Sequence, residues 1–95
     1  MKEYVRQTSK QFRKDVRRLG KSGYDLTKLE RIIDLLASDK KLPDTYKDHE
    51  LRGNFAGKRE CHIGPDWLLM YEKDEGRLIL LLIRTGRHRQ VLGIE

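Results

Sequence analysis

Cysteine is nearly absent: the 95-residue chain has one, Cys61. A lone cysteine excludes an internal disulfide and any cysteine-cluster metal site, and its ordinary role is that of a small buried apolar residue. Long apolar runs are missing too. The longest, Leu78 to Ile83, is strand-sized, far short of the roughly 20 residues a membrane-spanning helix needs. The N-terminus carries no apolar stretch of the signal-peptide kind, so a cytoplasmic location without a membrane partner is expected. Proline occurs only at 43 and 65, and there are no repeats, linkers or low-complexity segments. A chain of this length is expected to make one domain, residues 1–95, burying roughly 60–70% of the surface its unfolded form exposes. That allows one core but no deep enclosed cavity. No cofactor is therefore expected, and the site is read as an open surface groove.

What is abundant is charge, and it is uneven. Charged residues make up 38% of the chain and the net charge is +6. Residues 1–24 hold eight Lys or Arg against two acids, whereas residues 25–95 hold thirteen of each sign. The whole excess therefore sits in the N-terminal quarter. Such a patch suits a polyanion, most commonly nucleic acid; the bland alternative is a solvated helix face.

Periodicity gives the elements. Glu3 to Gln7 reads as a short strand, and Thr8 or Ser9 as a helix N-cap. Phe12, Val16 and Leu19 form the apolar stripe of a first helix, with Lys10, Arg13, Lys14, Arg17 and Arg18 on its other faces. Gly20 and Gly23 end it. Thr27 and Glu30 have capping-box spacing ahead of a second stripe, Leu26, Leu29, Ile32, Ile33, Leu36 and Ala37. The short link implies an antiparallel helical hairpin. Residues 38–50 read as a crossing loop. Strands are expected around residues 58–63, over Trp67–Lys73 and over Arg77–Arg84, separated by Gly64-Pro65-Asp66 and Asp74-Glu75-Gly76. Thr85-Gly86 breaks the last of these, leaving 87–95 as a tail or terminal strand. The order indicates an α+β domain, helices packed on one face of an antiparallel sheet.

The three histidines fall at element ends. The meander topology brings His62, Asp66, Trp67 and the segment around His88 toward one sheet edge, which His49 can reach from its loop. Imidazole both gives and takes protons near neutral pH, as RNA cleavage through the ribose 2′-hydroxyl requires. A zinc site is a second reading, but no helical i, i+4 histidine pair or local zinc motif is present. Three unrelated surface histidines are a third. Trp67 also has a plain reading as a core residue, and Asp66 as a turn residue.

At residues 46–71 the sequence becomes specific. Tyr46-Lys47-Asp48-His49-Glu50-Leu51-Arg52-Gly53, Arg59-Glu60-Cys61-His62, Pro65-Asp66-Trp67-Leu68-Leu69-Met70-Tyr71 and Arg84-Thr85-Gly86-Arg87-His88 resemble, in order and spacing, the YKDHxLxG, PDWxLxY and RTGxH signatures of YafQ-like toxins in the RelE superfamily. Together they cover about half the chain. The resemblance implies a RelE-like fold, an N-terminal strand and helical hairpin on an antiparallel sheet. It also implies a type II toxin that cleaves mRNA in the ribosomal A site, is sequestered by a cognate antitoxin, and meets operator DNA only through that complex. By the same resemblance His49, His62, Asp66 and His88 are the acid–base candidates, with no metal. Trp67, Arg84 and Arg87 are expected to face substrate, together with Lys47, Lys58 and Arg59. Where the family often has an aromatic four places after the last histidine, this chain has Leu92. Lys10, Arg13, Lys14, Arg17 and Arg18 are expected to dock on ribosomal RNA. The competing functions are a non-catalytic RNA- or ribosome-binding module and a weak toxin homologue acting mainly in antitoxin-linked autoregulation.

Overall fold

The computed structural model describes residues 2–93. In chain order the elements are β1 (Val5–Thr8), α1 (Lys10–Lys21), α2 (Leu26–Ala37), β2 (His49–Glu50), β3 (Arg59–Gly64), β4 (Trp67–Asp74), β5 (Ile79–Gly86) and α3 (His88–Leu92). They form one five-stranded sheet, ordered β1-β5-β4-β3-β2.

Local chemistry explains most boundaries. Ser9 caps α1: its hydroxyl oxygen accepts from the Phe12 amide at 2.9 Å while the hydroxyl donates to the Ile83 carbonyl at 2.6 Å, fixing the helix start on β5. The expected capping box of Thr27 and Glu30 is not what starts α2. The chain turns at Gly23, whose φ is +83°, and Asp25 is the last extended residue, so its carboxylate accepts from the Thr27 amide instead. β5 begins at Ile79 and not at Arg77, because Asp74 folds the chain back by accepting from both the backbone and the guanidinium of Arg77.

Three expectations are corrected. The sheet is mixed, since β1 runs parallel to β5. The strand leads straight into α1 and joins at the edge beside the last strand; side-chain patterns carry no record of strand direction. The crossing loop contributes a strand of its own, β2, antiparallel to β3. The expected terminal strand is a helix, α3. Gly86, with φ +146°, turns the chain out of the sheet, and Val91 then buries itself against Leu68 and Met70. The part of the expected tail at residues 94–95 lies outside the described residues.

The core is two-sided. On one face α1 and α2 cover the sheet with Phe12, Leu19, Leu29, Ile32 and Leu36 against Cys61, Leu69, Tyr71, Leu80 and Leu82. On the other, Leu68, Met70 and Val91 form a smaller cluster, backed by Leu51, Phe55, Ile83 and Leu92. β4 is central and covered on both sides, so Trp67 through Tyr71 are all buried. Such a strand reads as a continuous apolar run, not an alternating one.

Candidate active site

Strand alternation decides where the chemistry lies. Cys61 and Ile63 of β3 point to the helix side, so Glu60 and His62 point away from it. Cross-strand register confirms the assignment: Glu60 stands opposite Met70 and His62 opposite Leu68, both in the smaller cluster. His49 of β2 pairs with Glu60. α3 packs on β4 and β5 through that same cluster, so His88, its first residue, belongs to this outer face as well.

At the centre is a residue the sequence reasoning missed. Glu60 is 2% exposed, although it stands on the open face. Its Oε1 lies 3.6 Å from His49 Nε2 and 3.7 Å from His62 Nε2. The two rings are 6.3 Å apart, tilted by 38°. Glu60 Oε2 is buried without a hydrogen-bond partner among the described residues. A buried carboxylate is costly unless positive charge or donors answer it. Here the two imidazoles are the groups that face it. The signal available in sequence was the spacing: Glu60 precedes His62 by two in a strand, which places both side chains on one face.

His49 is further constrained. Its Nδ1 lies 2.7 Å from the Lys47 carbonyl. A carbonyl can only accept, so Nδ1 carries the hydrogen, and in the neutral ring Nε2 carries the lone pair. Lys47 holds that carbonyl in place with a left-handed backbone, φ +50°. Asp66 sits in the β3–β4 turn, and its Oδ1 accepts the backbone N–H of His88 at 3.1 Å. It therefore ties the start of α3 to the edge where β3 ends. Lys58 stands just before β3, its carbonyl accepting from the Leu51 amide, and Arg87 is exposed beside His88.

Four expected substrate contacts are placed elsewhere. Trp67 is in the core, with its indole N–H donating to Thr85 Oγ1 at 3.0 Å and its ring edge-on to Tyr24 at 5.0 Å. Arg84 reaches to the helix side, where it donates to Asp15 at 2.8 and 3.3 Å. Arg59 also lies on the helix side, paired with Asp48 at 3.2 Å and Glu50 at 3.7 Å. Leu92 backs the Val91 cluster as a packing residue. In each case an acid, a hydroxyl or apolar neighbours engage the group. A surface depression of about 680 Å³ is likewise on the helix side, lined among others by Leu36, Leu42, Asp48, Arg59 and Lys73. It does not include the histidines.

The basic helix divides in two. Arg13 donates to the carbonyl and hydroxyl of Thr8, and Arg18 pairs with Asp15 at 3.1 Å. Lys10, Lys14 and Arg17 make no ion pair among the described residues, and Lys14 and Arg17 share a shallow basic depression with Arg18 and Lys21. Asp15 itself, fully buried, is the second residue the sequence reading passed over. Burial pushes its carboxyl up, but hydrogen bonds from Arg84, the Thr85 amide and Gln11 outweigh this and hold it below the usual carboxylate range.

Among the described residues no group of three His, Cys, Asp or Glu side chains is arranged to hold a metal ion, and no helix is long and apolar enough to cross a membrane.

Proteins of the same fold are known. The mRNA interferase toxin YafQ of Escherichia coli is 38% identical over 86 residues, covering 90% of this chain and 91% of that protein. The crystal structure of the E. coli DinJ–YafQ toxin–antitoxin complex superposes with a TM-score of 0.87 at 36% identity, covering 96% of this chain and 99% of that one. A metal-bound toxin from Helicobacter pylori superposes with a TM-score of 0.87 at 40% identity, covering 93% and 98%. The family model described as a bacterial toxin of type II toxin–antitoxin systems, YafQ, matches residues 4–93, and the chain belongs to that family.

Proposed function

We propose that this chain is an mRNA interferase that cleaves ribosome-bound mRNA by acid–base catalysis at the outer sheet face and is held inactive by a cognate antitoxin. The observation that carries the reading is the buried Glu60 carboxylate facing both His49 and His62. His49 Nε2, freed for proton acceptance by the Nδ1 bond to Lys47, takes the proton from the ribose 2′-hydroxyl. The 2′-oxygen attacks phosphorus, the bond to the 5′-oxygen breaks, and that oxygen takes a proton from the imidazolium of His62 or His88. Glu60 compensates the positive charge that a ring carries between the two transfers, as the buried aspartate does in a serine-protease triad. Asp66 acts by holding His88. Arg87, Lys47 and Lys58 are left to face the RNA backbone, and Lys10, Lys14 and Arg17 to meet ribosomal phosphate.

Antitoxin pairing draws support from the E. coli relative, which was crystallised in a toxin–antitoxin complex; operator DNA is met only through such a complex. The Helicobacter relative is metal-bound, whereas among the described residues here no three His, Cys, Asp or Glu side chains are arranged to hold a metal ion. The test is cleavage of mRNA on assembled ribosomes with the product ends mapped. Cyclic or 3′-phosphate and 5′-hydroxyl ends that persist through brief EDTA treatment with cobalt hexammine are expected. Ends bearing 5′-phosphate, or loss of cleavage under those conditions, would overturn the mechanism. Glu60→Gln is expected to lower the saturating rate on the order of 10² or more while ribosome binding holds.

A further inference from the structure

α3 has five residues, and a helix this short does not hold itself together in water. Its place must be set from outside. Val91 supplies the apolar anchor and Asp66 receives the His88 amide. The remaining contact is Gln90. Its Oε1 accepts from the Arg87 backbone N–H at 3.0 Å, the reach-back half of a capping box. The same oxygen accepts from Arg18 Nη2 at 3.4 Å.

Arg18 is not a loose surface cation. Its Nη2 also lies 3.1 Å from Asp15 Oδ1, and Asp15 is locked to β5 by Arg84 and by the Thr85 amide at 3.1 Å. The bonds thus run Asp15, Arg18, Gln90, Arg87 and end beside His88. Among the described residues this is the one side-chain hydrogen bond from α1 to α3. Room for it comes from Gly86. A Cβ there would stand 2.7 Å from Gln90 Oε1 and 3.3 Å from Arg18 Nη2.

We propose that Gln90 is a positioning residue for His88: it latches the His88 helix to the Arg18 guanidinium of the basic helix across Gly86, so that the imidazole is aimed by the same helix that carries the docking charge. The proposal rests on His88 taking part in cleavage. It assigns Arg18 to positioning rather than to phosphate contact. Gln90 touches no substrate; it acts through the orientation of α3, where a displacement of about 1 Å can cost on the order of 10² in rate.

The test compares Gln90→Ala, Gln90→Glu and Gly86→Ala in the full chain on ribosomes. Alanine is a better helix former than glutamine, so helix propensity alone predicts no loss on Gln90→Ala. The latch predicts a roughly 10- to 100-fold lower saturating rate with an unchanged half-saturating ribosome concentration. Gly86→Ala, which drives a Cβ into the latch, should behave likewise. Gln90→Glu keeps both acceptor bonds and strengthens that from Arg18, so it should restore most of the rate. Parental rates in Gln90→Ala, or equal losses in Gln90→Ala and Gln90→Glu, would overturn the proposal. If the parent itself fails to cleave, the proposed function falls instead. The latch is then judged by hydrogen exchange at the His88 amide: faster exchange in Gln90→Ala than in Gln90→Glu supports it, and equal protection refutes it.

Discussion

Replacing Asp15 with alanine should come close to unfolding this protein. The carboxylate is fully buried and answers five donor contacts: Arg84 Nε and Nη2, Arg18 Nη2, the Thr85 amide and Gln11 Nε2. Removing one partner of a buried ion pair costs about 3–5 kcal/mol, because the other charge is left without compensation. Two features set where this case falls. The Arg84 side chain is 27% exposed, so water recovers part of its charge and pulls the cost down. The Thr85 amide is wholly buried and becomes an orphan donor, which alone costs about 1–3 kcal/mol. We expect about 3–4 kcal/mol in total, against a whole-domain stability of about 5–15 kcal/mol. With a urea slope of about 1–1.5 kcal/mol per molar, the unfolding midpoint falls by roughly 2–4 M.

The pH dependence has a definite sign. The Asp15 carboxyl is held low in the folded state, so its contribution is present above the unfolded carboxylate value near 3.9 and is lost as pH falls through the lower folded value. Parental stability should therefore drop below about pH 4 more steeply than that of Asp15→Asn. A double replacement, Asp15→Leu with Arg84→Met, removes both charges together and should recover much of the loss. Urea melts at pH 7 and pH 3 are the assay. An Asp15→Ala midpoint within about 0.5 M of the parent, a difference below about 1 kcal/mol, would refute the reasoning.

Trp67→Phe should cost about 1–3 kcal/mol in urea melts by leaving Thr85 Oγ1 short of a donor, with the saturating cleavage rate unchanged; a large rate loss at parental stability would return the indole to the site. Replacing Lys10, Lys14 and Arg17 with glutamine should raise the ribosome concentration for half-maximal cleavage, flatten its salt dependence and spare the saturating rate, and unchanged binding at low and high salt would disprove α1 as the docking surface. His88→Ala should do the reverse, with a rate loss on the order of 10²–10⁴ and near-parental ribosome binding, measured by single-turnover cleavage alongside sedimentation.

The elements whose signals are local were legible in the sequence. The stripe of Phe12, Val16 and Leu19 and that of Leu29, Ile32 and Leu36 gave both helices because a 3.6-residue period survives any tertiary context. The β3–β4 turn at 64–66 was equally plain. What escaped depended on distant partners. The parallel alignment of β1 with β5 leaves no mark on either strand. α3 exists because Asp66 and Gln90 satisfy its amides and Val91 finds Leu68, none of which a five-residue window reveals. The candidate site was half legible. The histidines announced themselves by chemistry, but Glu60 and Asp15 looked like ordinary surface acids until burial set them apart. Trp67 misled in the opposite sense, an aromatic beside a functional motif whose own role is to bond Thr85.

The alternation along β3 has a consequence for how this protein can change. On the proposed function β3 acts as a partition, with packing under the helices on one side and reaction on the other, and the strand visits the two sides in turn. Cys61 and Ile63 belong to the first side, Glu60 and His62 to the second. Neighbouring codons therefore answer to different demands. Drift at one position is judged by whether the molecule folds, and at the next by whether a folded molecule acts. Inactive but intact variants, still able to be gripped by an antitoxin, lie one substitution away at alternate positions of a single strand.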